Sequence, residues 1–275
     1  MDTYQVTGGK RLYGTVGIQG SKNAALPIIA ATVLHRGVTV LTHCPPITDV
    51  YAALAIIRAM GGKAEWKSAE SVIIDTRELN CHYISDSYYD QMRASVLFLG
   101  AELGRFGIAE IYAPGGCMIG MRPIDLHLRG MELLGAVVSW EGKKIHCEAK
   151  KLAGARIKFA FPSVGATENV ILAACMAEGI TLLENCAREP EILALCDFLN
   201  AAGADIRWKD AGTLRISGIK KLQDTEFEIP GDRIVAGTYM AALAGCCGCV
   251  TLTGVNPGYM IAPTVLCRKL GCEIS

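Results

Sequence analysis

Residues 113–129, Ala-Pro-Gly-Gly-Cys-Met-Ile-Gly-Met-Arg-Pro-Ile-Asp-Leu-His-Leu-Arg, gather side chains of the types that do chemistry. Gly115 and Gly116 free the backbone and bring the Cys117 thiol clear of its neighbours. Arg122, His127 and Arg129 follow closely. Positive charge beside a thiol favours the thiolate, so Cys117 should titrate below the free value of about 8.5. The plainer alternative is a small apolar core residue, as most of the twelve cysteines should be. That alternative suits Cys175, Cys196, Cys246 and Cys247, which lie in apolar helical runs. It suits Cys117 poorly, because glycine and a cationic tail are not core surroundings.

A second set of candidates lies where helices begin. Gly20-Ser21-Lys22-Asn23, Gln91-Met92-Arg93-Ala94-Ser95, Pro162–Thr167 and Gly231-Asp232-Arg233 each offer a capping side chain. Helix N-termini expose amide donors and partial positive charge, which suit phosphate or carboxylate. Lys22, Arg93 and Arg233 add full charges. Brought together, these ends would form a pocket for a polyanionic small ligand; taken singly, they are ordinary caps with solvated basic neighbours.

The elements that must position these residues recur along the chain. An apolar helix, a glycine, a short strand, a second helix, a glycine and another strand appear four times. The first glycine is Gly37, Gly107, Gly179 and Gly248; the second is Gly62, Gly135, Gly203 and Gly271. A period of about 70 residues with this content predicts related βαβ-type units packed together. In the third unit Ile192, Leu195, Cys196 and Leu199 follow helical spacing, and Glu189-Pro190-Glu191 opens that helix. The Cys117 loop lengthens the second unit, as a functional insertion on a regular scaffold would. The fourth unit reaches only Ser275, where its counterparts begin a strand, so a truncated protein is expected.

Composition excludes several classes. With 275 residues, 51% hydrophobic and 20% charged, the chain can bury a large core. Zero formal net charge argues against a nucleic-acid or acidic-membrane binder. The N-terminal residues lack an apolar signal region, so a cytoplasmic protein with reduced thiols is expected. Ile234–Cys267 contains no charged residue and is long enough for a membrane span, yet glycines and prolines interrupt it, which suggests a buried helix and a buried strand instead. Cys246-Cys247-Gly248-Cys249 has no second ligand pair at zinc spacing, and no phosphate-binding or dinucleotide-binding glycine motif is present. Neither a metal nor a cofactor is expected.

Several motifs occur in order: Gly20–Pro27, Met92-Arg93-Ala94-Ser95, Pro114-Gly115-Gly116-Cys117, Arg122–His127, Phe161–Asn169, Ala187–Glu191 and Pro230–Ile234. With them the whole chain resembles the UDP-N-acetylglucosamine 1-carboxyvinyltransferases of the enolpyruvyl transferase family. The resemblance implies an α/β fold of repeated βαβαββ units, an inside-out α/β barrel. It implies one complete three-unit domain at 21–231, with 1–20 and 232–275 forming part of a second. The implied substrates are phosphoenolpyruvate and UDP-N-acetylglucosamine, with no nucleic acid or membrane partner. Lys22, Arg93 and Arg122 would bind phosphoenolpyruvate, with Cys117 over its methylene as general acid or as nucleophile. Asn23 and Arg122, Pro123, Ile124, Asp125 and Leu126 would hold the nucleotide sugar. Ser163, Val164 and Gly165 would meet its diphosphate, and Asp232 and Arg233 would lie where the domains join. The family's hydroxyl-deprotonating Asp and further Arg residues would fall beyond Ser275. A non-catalytic remnant that binds the nucleotide sugar weakly is the alternative.

Cys117 should be alkylated faster than every other cysteine at neutral pH, and fosfomycin should label it if the resemblance holds. Mass-spectrometric mapping in which Cys246 or Cys247 reacts first would refute this.

Overall fold

The computed structural model describes residues 3, 5, 7–81, 96–112 and 124–275. Arg93, Cys117, Arg122 and Pro123 therefore lie outside the described residues. The chain divides into two units, one of residues 22–229 and one of residues 1–21 with 230–275.

In the larger unit the apolar helices and short strands repeat three times. The first repeat holds α1 (Lys22–Ala31), β2 (Val38–Thr42), α2 (Thr48–Ala59), β3 (Lys63–Ser68) and β4 (Ser71–Asp75). The second holds α3 (Phe98–Phe106), β5 (Ile108–Tyr112), α4 (Asp125–Leu133), β6 (Val137–Glu141) and β7 (Lys144–Glu148). After β8 (Arg156–Lys158), the third holds α5 (Val164–Cys175), β9 (Ile180–Glu184), α6 (Pro190–Ala201), β10 (Asp205–Asp210) and β11 (Thr213–Ser217), and β12 (Thr225–Glu228) follows.

Each repeat builds the same sheet. The last strand lies antiparallel between the other two: β4 between β2 and β3, β7 between β5 and β6, β11 between β9 and β10. The strand that follows each of the last two repeats then pairs with the sheet of another repeat. β8 leaves the second repeat and runs parallel to β9. β12 leaves the third and runs parallel to β2, with Phe227 opposite Leu41. The last strand thus returns to the first sheet.

Burial shows which layer is inside. Every residue of α1 from Ala24 onward is buried, as is every residue of α5 from Ala166. β2, β4, β5 and β11 instead alternate fully and partly buried residues, one face in and one out. In the larger unit helices form the interior and sheets the wall, as the resemblance implies. Ile192, Leu195, Cys196 and Leu199 of α6 are buried, and Pro190 occupies its first turn.

The repeat glycines need one adjustment. Gly135 and Gly203 take left-handed φ of 99° just past α4 and α6, ending those helices. In the first repeat the residue in that position is Gly61, at 94°, rather than Gly62.

The smaller unit holds β1 (Leu12–Gly17), α7 (Arg233–Cys246), β13 (Gly248–Thr253) and α8 (Ile261–Lys269). β1 runs parallel to β13, from Leu12 opposite Gly248 to Gly17 opposite Thr253. The expected helix and strand are present, but their burial is not. Only Ala236 of α7 is buried, and Cys246, Cys247 and Cys249 are exposed. The reason is a lack of neighbours: α1, α3 and α5 are enclosed by other helices, whereas α7 packs on α8 and β13 among the described residues. β13 likewise has β1 as its described partner and no antiparallel strand like β4 or β11. No described helix is long and apolar enough to cross a membrane.

Arg105 joins the first two repeats. Its guanidinium, at the end of α3, donates to the carbonyls of Val33 (3.1 Å), Thr76 (2.8 Å) and His35. Burial pulls its pKa down to about 10, so it remains charged at neutral pH. Removing it strands buried carbonyls, each costing about 1–3 kcal/mol. Arg105→Met should therefore destabilise the chain by about 3 kcal/mol or more, whereas Arg77→Met, which breaks a solvent-screened pair with Asp75, should change stability little. Equal losses in urea titrations would refute this role for Arg105.

Candidate functional site

The start of α5 is the described part of the site with the clearest local cause. Ser163 is extended at the N-cap, and its hydroxyl accepts from the Ala166 amide at 3.4 Å. Val164 and Gly165 follow in the first turn, where amides have no helical acceptor. Gly165 faces a neighbouring helix closely: a Cβ there would stand 3.0 Å from Cε1 and 3.4 Å from Nε2 of His127. His127 comes from the first turn of α4, which Ile124, Asp125 and Leu126 open. Asp125 is exposed, while Ile124 and Leu126 pack against the core. The structure thus brings the Ile124–His127 turn against Ser163–Gly165.

His127 does not carry the charge expected of it. The ring is buried, and burial pulls its pKa down to about 4 against a smaller opposing effect of Asp125. At neutral pH it is an uncharged imidazole. Arg129 is exposed and pairs with Glu132 at 3.1 Å. Neither residue therefore offers a free positive charge, because one is desolvated and the other is neutralised at the surface.

Lys22 and Asn23 open α1, with Asn23 exposed and Lys22 half-buried. The Lys22 ammonium lies 3.1 Å from the Asp49 carboxylate in the first turn of α2. Sequence reasoning missed Asp49; Thr48-Asp49 after two prolines is a helix start of the kind singled out elsewhere. In the smaller unit, Asp232 caps α7, its Oδ1 accepting from the amides of Ile234 (2.8 Å) and Val235 (3.1 Å). Capping is what the structure assigns to Asp232 and Ser163.

A buried polar group at the α5–α6 start was also missed. Burial, with Glu191 and Glu189 nearby, pushes the Glu168 carboxyl well above the usual carboxylate range. Thr167 Oγ1 accepts from the Ala187 amide at 3.0 Å, tying α5 to the entry of α6. Asn169, next along, bonds to α3 and α4. The signal was the run Thr167-Glu168-Asn169, three polar residues inside an apolar helix.

Burial pushes Cys44, Cys147 and Cys196 up to about 12. These are inert core groups.

The sequence profile of the EPSP synthase (3-phosphoshikimate 1-carboxyvinyltransferase) family matches residues 6–275. The chain belongs to this family. Among relatives, UDP-N-acetylglucosamine 1-carboxyvinyltransferase 2 of Caldanaerobacter subterraneus subsp. tengcongensis is 42% identical over 274 residues, covering 100% of this chain and 66% of that protein. The UDP-N-acetylglucosamine 1-carboxyvinyltransferase of Corynebacterium efficiens is 42% identical over 276 residues, covering 99% of this chain and 65% of that protein. The family fold extends to solved structures of low identity. The enolpyruvyl transferase NikO of Streptomyces tendae superposes with a TM-score of 0.80 at 22% identity, over 94% of this chain and 61% of its own. EPSP synthase of Acinetobacter baumannii gives 0.77 at 21% identity, over 98% and 61%. The chain therefore spans about two thirds of the length of the family members it matches. Its lineage is that of enolpyruvyl (carboxyvinyl) transferases.

Two buried groups give stability opposite dependences on pH. His127 has a folded pKa below its unfolded value of about 6.5, so its contribution is present above that value and lost as pH falls towards about 4. The full effect is about 3 kcal/mol. Glu168 has a raised folded pKa, so its contribution is present below about 4.5 and lost as pH rises. Urea midpoints should therefore fall between pH 6.5 and pH 4 more steeply in the native chain than in His127→Gln. Identical slopes would show that His127 is not buried neutral.

Proposed function

We propose that this chain carries the enolpyruvyl transfer site of a UDP-N-acetylglucosamine 1-carboxyvinyltransferase, which opens peptidoglycan precursor synthesis. The observation that carries the reading is 40–42% identity over essentially the whole chain to proteins of that name, beside only 21–22% to the solved structures compared above. The motif Pro114-Gly115-Gly116-Cys117 supports it. Residues 21–231 would be one complete domain, and 1–20 with 232–275 part of a second.

In the proposed reaction the sugar 3′-hydroxyl adds to C2 of phosphoenolpyruvate while C3 gains a proton, giving a tetrahedral ketal. Loss of a C3 proton then expels phosphate and restores the double bond. Lys22, Arg93 and Arg122 would hold the phosphoenolpyruvate anion through charge-assisted hydrogen bonds. Cys117 would face its methylene as the proton donor or as a nucleophile. Asn23 and Arg122–Leu126 would hold the sugar nucleotide, with Ser163, Val164 and Gly165 offering helix-start amides to its diphosphate. Asp232 and Arg233 would add further substrate contacts. The hydroxyl-deprotonating base would come from outside residues 1–275. General-base catalysis contributes about 10²–10⁴-fold, so its absence would silence turnover.

A second reading for residues 1–275 is nucleotide-sugar binding without turnover. Calorimetry and phosphate release test both. Purified residues 1–275 should bind UDP-N-acetylglucosamine weakly and release no phosphate from the two substrates above a Cys117→Ala control. Absence of binding would overturn the site assignment. Turnover dependent on Lys22 and Cys117 would show that outside residues are dispensable.

A further inference from the structure

Asn169 is fully buried on α5, and its carboxamide has partners on two other helices. Its Oδ1 lies 2.6 Å from the Gly100 amide and its Nδ2 lies 2.7 Å from the Val96 carbonyl. An amide only donates and a carbonyl only accepts, so the orientation of the carboxamide follows. The same Nδ2 stands 3.0 Å from Nδ1 of His127. Both hydrogens of Nδ2 are then used, and Nδ1 must accept. A neutral imidazole that accepts at Nδ1 carries its proton on Nε2. That edge of the ring is the one turned to Gly165.

The partners stand at informative places. Val96 stands three residues after Arg93 in the sequence. His127 lies in the first turn of α4, directly after the stretch containing Cys117 and Arg122. Asn169 itself lies one and a half turns into the helix that Ser163 caps. Gly100 admits this approach only because it lacks a side chain; a Cβ there would collide with the Asn169 backbone carbonyl.

We propose that Asn169 is the positioning residue of the site: its carboxamide fastens the starts of α3 and α4 to α5 and fixes His127 as the Nε2–H tautomer. The carboxamide thereby sets Val96 and the Ile124–His127 turn against α5. The link to ligand binding rests on the function proposed above; the tautomer does not. Asp125 is the described charged group acting on the ring, while α5 presents the uncharged Asn169 and Gly165 to it.

The test uses the 275-residue chain, with Asn169→Ala, Asn169→Asp and, as a core control of reduced stability, Ile57→Val. Nitrogen NMR of the imidazole at neutral pH should show Nδ1 without a proton in the native chain. Asn169→Ala should lose the single tautomer, change the Cys117 alkylation rate at least threefold and weaken UDP-N-acetylglucosamine binding at least tenfold. Ile57→Val should leave both rate and affinity within twofold. Asn169→Asp places a carboxylate at Nδ1, so His127 should titrate at least one pH unit above its native value of about 4. A protonated Nδ1 in the native chain overturns the proposal without any variant. So does an Asn169→Ala protein that melts cooperatively with native alkylation rate. A native chain that binds no nucleotide sugar overturns the functional reading instead, and tautomer and alkylation, measured without ligand, still decide the role of Asn169.

Discussion

The parallel pairing of β12 with β2 is the constraint on which the larger unit depends. Three repeats of similar sequence could stack in an open row, leaving a strand edge at one end and an uncovered helix at the other. Returning the third repeat's outgoing strand to the first sheet ties the two ends of that row together. Asp224, just before β12, reinforces the return by accepting from the Val38 amide at 3.0 Å and facing His35 Nε2 at 3.1 Å. Because the third repeat returns to the first, α1 and α5 can be buried on every side beyond their first residues. Their starts are then fixed by neighbours rather than by solvent.

That enclosure explains the chemistry of the site as well. A histidine on a surface helix would titrate near neutrality, whereas His127 is held uncharged because α5 covers it. Glu168 keeps its proton for the same reason. Polar groups inside such an interior must find partners, and Asn169 finds three. Burial therefore supplies order at the helix starts, and the charge in the described part comes from Lys22 at the rim, with Asp49 beside it.

Much of this was legible in the sequence. The glycines marked strand starts and helix ends, and the i, i+3, i+4, i+7 spacing of Ile192, Leu195, Cys196 and Leu199 gave the buried face of α6. Ser163 and Asp232 were legible as caps because capping is local. What escaped was set by contacts distant in sequence. Nothing around His127 announces that Gly165 lies against it, so its charge was misjudged. Asp49 meets Lys22 across two helices, and Asn169 reaches back to Val96. The burial of α7 was misjudged for the converse reason. Its composition resembles that of α1 and α5, yet composition records what a helix suits, not which neighbours stand around it.

The two crossings between units lie side by side, since the Ser21 amide donates to the Pro230 carbonyl at 2.8 Å. Residues 22–229 thus form a loop of chain whose beginning and end meet. In topological terms the larger unit is an inserted domain, and the smaller one is its host. Adjacent ends and a closed ring of repeats are the conditions under which circular permutation is tolerated. The ring could be cut at an exposed turn such as Glu141–Lys144 and rejoined across residues 22 and 229 by a short linker, leaving its sheet pairings unchanged.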